Sequence, residues 1–156
     1  MTAPHLDPDT IALGREALLD MKSISDALLY ASLLTDDGFE VVHIPEAPAG
    51  GAVDAAVDGN RFASMASSIQ ALSEAVAREL RIGSSEYVII ASARGHVIQL
   101  RVAGQPIVLG ALFDDGEMLG KALTVARRCA QRLSTALAER ASSAAPASPP
   151  LAAQAF

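Results

Sequence analysis

The chain has 156 residues, one domain's worth, and 51% of them are hydrophobic against 19% charged, a globular composition. A net charge of −6 argues against a nucleic-acid partner, which needs a positive field, and the single cysteine, Cys129, excludes an intramolecular disulfide or a thiolate metal cage. Met1 to Asp9 carries acids and prolines and no apolar core, and no run approaches the ~18 apolar residues of a membrane span, so a cytoplasmic protein is expected.

In chain order, Asp7-Pro8-Asp9-Thr10 opens a helix in which Ile11, Leu18 and Met21 recur at helical spacing to about Ser23. The nearly continuous apolar run from Ile24 to Leu34 predicts a covered strand. Thr35-Asp36-Asp37-Gly38 predicts a turn, and Phe39 to Ile44 the second arm of a hairpin. Residues 45 to 57, with two prolines and Gly50-Gly51, read as a loop. Asp58 is placed to cap a long helix whose stripe Phe62, Met65, Ile69, Leu72, Val76 and Leu80 is expected to face the core, ending at Gly83. Three strands follow, over Tyr87–Ala93, His96–Val102 (Gln99 and Arg101 on its polar face) and Pro106–Phe113. Asp114-Asp115-Gly116-Glu117 resembles a capping box, with Glu117 reaching back, before a final helix that carries Leu119, Ala122, Ala126, Cys129 and Leu133 on one face. The domain is expected to close at residue 140. Residues 141–156, mostly Ala, Ser and Pro with little bulk, are expected to form a disordered tail. The fold class is thus α+β, in the order α-β-β-α-β-β-β-α, with a five-stranded antiparallel sheet and helices on both faces.

No catalytic constellation emerges. Gly116 to Lys121 is one spacer short of a phosphate loop and lacks the Ser or Thr that would hold magnesium. There is no G-x-S-x-G elbow, no H-x-x-x-H and no C-x-x-C. His5 lies at a frayed end, His43 and His96 read as half-buried strand residues, and Asp36-Asp37 and Asp114-Asp115 as turn acids. Cys129 reads as a buried small hydrophobe, and Arg127, Arg128 and Arg132 as a solvated face. No enzyme activity, cofactor or metal is expected.

The features that exceed a monomer's needs are surfaces. Small residues Ala63, Ala66, Ser73 and Ala77 flank the apolar stripe of the middle helix and would let another helix approach closely. The strand after it, including Tyr87 and Ile89, is uncharged and would need pairing at a sheet edge. A second copy of the chain is expected to cover both. Arg61, Ser64, Ser67, Glu74 and Arg78 are the polar residues of this helix placed to meet a partner.

The element order resembles the roadblock/LC7 family, including its bacterial MglB-type members. The residues that carry the likeness are Leu33-Leu34-Thr35-Asp36-Asp37-Gly38, Ala71-Leu72-Ser73-Glu74-Ala75, Arg94-Gly95-His96-Val97 with Gly104, and Ile107-Val108-Leu109-Gly110-Ala111-Leu112. The resemblance covers roughly residues 8 to 138. It implies a homodimer whose middle helices pack together and whose third strands join two sheets. It also implies a small Ras-like GTPase as partner, with hydrolysis stimulated in some relatives. The alternatives are a structural dimer in a motility or polarity complex and a ligand-sensing domain. A membrane or nucleic-acid partner is not expected.

Overall fold

The computed structural model describes residues 3–45 and 59–144. After a 3₁₀ turn at Pro4–Leu6 come α1 (Pro8–Ile24), β1 (Leu28–Thr35), β2 (Glu40–Ile44), α2 (Gly59–Glu79), β3 (Tyr87–Ser92), β4 (Gly95–Arg101), β5 (Ile107–Asp114) and α3 (Leu119–Ala144). The strands form one five-stranded antiparallel sheet, as expected, and the structure orders them β2-β1-β5-β4-β3. β2 and β3 are its edges.

The two faces of the sheet are chemically different, and the register shows how. On one face Ile89, Ile98, Ala111, Ala31 and Ile44 form a continuous row across all five strands. This face is covered by α1 and α3, which run antiparallel, with Arg140 beside Asp7 and Arg132 beside Asp20. It holds the main core, with Leu18, Met21, Leu33, Leu109, Phe113, Ala126 and Leu133 all nearly inaccessible. The neighbouring row, on the opposite face, is Val88, Gln99, Gly110, Ser32 and His43, which is polar or small at four of five positions. α2 lies over this row.

The chemistry of that row decides which side of α2 turns inward. A Cβ on Gly110 would stand 2.7 Å from the ring of Phe62, and the amide of Gln99 donates to the carbonyl of Ala66 at 2.8 Å. The helix therefore lies close to the sheet, and only small side chains fit between them: Ala63 is 0% exposed and Ala66 1%. This reverses the expected orientation. Of the stripe, Phe62 alone packs against the small cluster of Leu34, Ala63 and Ala66, with its ring edge-on to Tyr30 at 5.7 Å, and Ile69 is half-buried. Met65, Leu72, Val76 and Leu80 are 48–66% exposed. Small residues do permit close approach here, but to the chain's own sheet.

Other boundaries move for local reasons. α1 continues to Ile24. The chain then turns through Ser25-Asp26-Ala27, where the Lys22 ammonium donates to the carbonyls of Asp26 and Leu28 at 3.0 and 2.9 Å, so β1 starts four residues later than expected. Asp7 adopts an N-cap backbone but makes no side-chain cap. Its carboxylate instead accepts from Thr10 at 2.6 Å and from Arg140 at 2.5 Å, fastening the start of α1 to the end of α3. Gln99 is buried, not on a solvated face, and Arg101 reaches across to chelate Asp36 at 2.9 and 3.0 Å. Glu117 does not close a capping box. It is buried and accepts a hydrogen bond from the Ser25 hydroxyl, joining the α1–β1 and β5–α3 connections. α3 runs to Ala144, four residues past the expected boundary, while residues 145–156, Asp58 and most of the 45–57 loop lie outside the described residues.

Turns are made where expected. Gly38 has φ 91°, and the β1–β2 turn is closed by Thr35, whose hydroxyl accepts from the Phe39 amide at 3.0 Å. At Gly95 any Cβ would collide with the carbonyl oxygen of Phe113, so β4 can approach β5 only through glycine. α2 ends differently. Ile82 N–H donates to Ala77 O and Arg81 N–H to Arg78 O, both at 3.1 Å, with Arg81 at φ 55° in the position that helices ordinarily give to glycine. For a residue with a Cβ that conformation costs roughly 1–2 kcal/mol.

Candidate self-association and partner surface

The exposed side of α2 and the outer edge of β3 adjoin one another. Met65, Leu72, Val76 and Leu80 form a ridge along the helix, and Ile82, 72% exposed, continues it into the connection to β3. Between the second half of α2 and the start of β3 lies an open groove of about 560 Å³, walled by Ile69, Leu72, Val76, Ile82, Tyr87 and Val88. Next to it β3 pairs, among the described residues, only with β4, so along its outer edge no described strand meets its backbone donors and acceptors. Its six residues, Tyr-Val-Ile-Ile-Ala-Ser, carry no charge, and Tyr87 and Ile90 are exposed. An uncharged strand edge beside an apolar ridge is the surface that folded proteins ordinarily pair or cover.

α2 is set on the sheet by a polar chain. Gln99 Nε2 donates to Ala66 O and, at 3.2 Å, to Gln70 Oε1. Gln70 Nε2 donates to Glu74 Oε1 at 3.2 Å, and Glu74 Oε2 accepts from the Ser85 amide at 3.3 Å. Directional bonds of this kind fix the rotation of the helix more sharply than alanine packing does, and so they fix which residues form the ridge.

The residues expected to mediate dimerisation divide accordingly. Ala63 and Ala66 are buried on the sheet side of α2 in the small cluster with Leu34, and Ala77 is buried as well but lines the groove. Ser73 is half-buried, its hydroxyl donates to Gln70 O at 2.9 Å, and it lines the groove. Ile89 packs into the α1/α3 core, whereas Tyr87 stays at the surface, with the Arg127 guanidinium 5.1 Å over its ring. Of the residues that periodicity assigned to the core, Met65, Leu72, Val76 and Leu80 lie open, Leu72 above all.

The polar partner residues do not form one cluster. Ser64 and Ser67 sit against the β1–β2 turn, where the Ser67 hydroxyl donates to Asp36 O at 2.7 Å. Glu74 is occupied by Gln70 and Ser85. Arg61 and Arg78 are both exposed and stand 17 helical positions apart, about 26 Å.

Several titratable groups elsewhere are held by the fold. The carboxylate of Glu40 accepts from Tyr30 at 3.2 Å and lies 3.0 Å from His43 Nδ1, and His5 stacks on Phe39 with centroids 4.7 Å apart. Burial, then the charge of Asp20, pushes the Cys129 thiol up to about 12, and its sulfur lies 3.5 Å from Ala17 O. Arg132 is bound by Asp20 at 2.6 Å and by Glu16 at 3.5 Å. Among the described residues no group of three or more His, Cys, Asp or Glu is placed to hold a metal ion, and no helix is long and apolar enough to cross a membrane.

Three helices and a five-stranded antiparallel sheet in this order define a roadblock/LC7-like fold. Within it the architecture is MglB-like. The Myxococcus xanthus MglB structure aligns with a TM-score of 0.73 at 13% identity, over 86% of this chain and 94% of that one. The gliding protein MglB of Thermus thermophilus aligns with a TM-score of 0.64 at 22% identity, over 86% and 91%. A roadblock/LC7 domain from Streptomyces avermitilis aligns with a TM-score of 0.59 at 14% identity, over 75% and 88%. No family model matches the chain, and no curated protein does.

Proposed function

We propose that the protein is a homodimeric regulator or scaffold that binds a small Ras-like GTPase and performs no chemistry of its own. The observation that carries the dimer is the ridge of Met65, Leu72, Val76 and Leu80 lying beside the unpaired edge of β3. Two copies related by a twofold axis would pair β3 with β3 in a ten-stranded sheet and pack ridge on ridge, burying on the order of 1,600 Å² in total. The GTPase rests on the resemblance to the roadblock/LC7 family, and the Thermus neighbour's name, a gliding protein, supports a role in motility or polarity.

A regulator of such a switch must discriminate its nucleotide states, because the switch loops rearrange between them. Titration of the purified protein with Ras-like GTPases of the same organism, loaded with GDP or with a non-hydrolysable GTP analogue, is expected to show at least about a tenfold difference in affinity for one of them. Equal or absent binding in both states, for every candidate, would contradict the proposal and leave a structural dimerisation module as the better reading.

A further inference from the structure

β3 is uncharged from Tyr87 to Ser92, yet one charge of each sign bounds it: Glu86 just before it and Arg94 in the turn after it. Both are exposed. Arg94 has no hydrogen-bond or ion-pair partner among the described residues. Glu86 Oε2 accepts from Arg127 at 3.1 Å, and no described donor meets its Oε1. Ile90 shares the α2 face of the sheet with Val88 and is 47% exposed. Ala93 and Arg94 form a two-residue turn between the paired Ser92 and Gly95. In such a hairpin Ser92, Ile90 and Val88 exchange their backbone bonds with β4, so Tyr87, Ile89 and Ala91 direct theirs to the outer edge.

Two conditions limit how a second copy can pair with this edge. A twofold axis perpendicular to the sheet keeps α2 on the same face in both copies, and opposed residues point to the same face. Opposed residues must therefore be both odd-numbered or both even-numbered. Two registers meet this with the greatest overlap: one centred on Ile89, opposing 87–91 to itself, and one centred on Ile90, opposing 88–92 to itself. The flanking charges separate them. With Ile89 central, Glu86 would oppose Ser92 and Arg94 would oppose Ser84, so neither charge meets its complement. With Ile90 central, Glu86 of each copy opposes Arg94 of the other, and the exposed Ile90 closes on its own counterpart.

We infer that β3 pairs with the β3 of a second copy with Ile90 on the twofold axis, and that Arg94 of each copy, reaching Glu86 of the other, sets this register. The alignment rests on the homodimer proposed above and assigns its contacts. Ile89 and Ala91 then oppose one another and exchange the outward backbone bonds. Paired strands lie about 4.8 Å apart, a gap that an arginine and a glutamate side chain span together. An exposed ion pair adds little affinity, but a slip of two residues would part both symmetric pairs at once, so the charges select the alignment more than they tighten it.

Ile90→Cys tests the alignment. Opposed residues with no backbone bonds between them have Cα atoms about 4.5 Å apart, within reach of a disulfide. The native Cys129 does not compete, because it is buried and its thiol is pushed up to about 12. Under mild oxidation Ile90→Cys is expected to run as a covalent dimer on a non-reducing gel. Val88→Cys, which this register sets opposite Ser92 and about 13 Å from its own counterpart, is expected to stay at the single chain mass. Arg94→Ala and Glu86→Ala test the charges. Each is expected to keep the wild-type circular dichroism spectrum and to raise the dimer dissociation constant about three- to tenfold, and the double variant to raise it about as much as either alone. A wild-type dimer in which Ile90→Cys fails to cross-link, or in which Val88→Cys cross-links instead, would overturn the alignment. Losses that add in the double variant would overturn the charge pairing. A wild type that runs as a monomer removes the proposed homodimer, and this alignment with it.

Discussion

Glu117 and Ser25 stand 92 residues apart in sequence and share one buried hydrogen bond, with Lys121 3.4 Å from the other carboxylate oxygen. The Ser25 hydroxyl first, and Lys121 after burial has pulled the other way, hold the Glu117 carboxyl below its ordinary value near 4.5. A carboxylate whose native pKa is depressed contributes stability above its unfolded pKa and loses it as pH falls through the native one. Glu117→Gln keeps the shape and removes the charge. The wild type is therefore expected to be the more stable at pH 7, by a margin that shrinks steadily below about pH 4.5, as read by urea denaturation across pH. A margin independent of pH would contradict this account of the pair. A capping box was the natural sequence reading because it needs only local spacing. The Ser25 partner was not legible, since nothing local links residue 25 to residue 117.

At the scale of elements, α2 carries the main lesson. Ala66 lies 1% exposed over Gln99, so Ala66→Arg would place a charge between helix and sheet with no partner and no water. Such a burial costs on the order of 3–5 kcal/mol, so the variant is expected to lose its fold in thermal unfolding and not merely to dissociate. A well-folded Ala66→Arg monomer would show that α2 sits further from the sheet than described. The existence of the helix and its apolar stripe was legible from spacing alone, as were the five strands and their order along the chain. Which way the stripe faces was not, because periodicity defines an amphipathic helix without saying what covers each side. The missing signal lay in the strands, where Ser32, Gln99 and Gly110 interrupt three apolar runs. Only the register shows that these residues stand in one row, and a row so small and polar accepts alanines and glutamine rather than leucines. The strand β3 was legible as uncharged, and its place at the sheet edge follows from the strand order.

At the scale of the whole molecule, one face of the sheet is sealed by α1 and α3, and the other is covered by a helix that turns Met65, Leu72, Val76 and Leu80 outward. That arrangement is wasteful for a monomer and economical for a pair, because the ridge and the strand edge are then both covered by the same partner. The measurement that tests this most directly is the mass in solution, by light scattering at micromolar concentration, of the wild type and of Leu72→Glu. Leu72 is 66% exposed on the ridge, so a charge there leaves the chain's own core untouched. The account predicts about twice the 16.1 kDa chain mass for the wild type. For Leu72→Glu it predicts the single chain mass with an unchanged circular dichroism spectrum. A wild type that runs as a monomer, or a Leu72→Glu variant that keeps the wild-type mass, would contradict it.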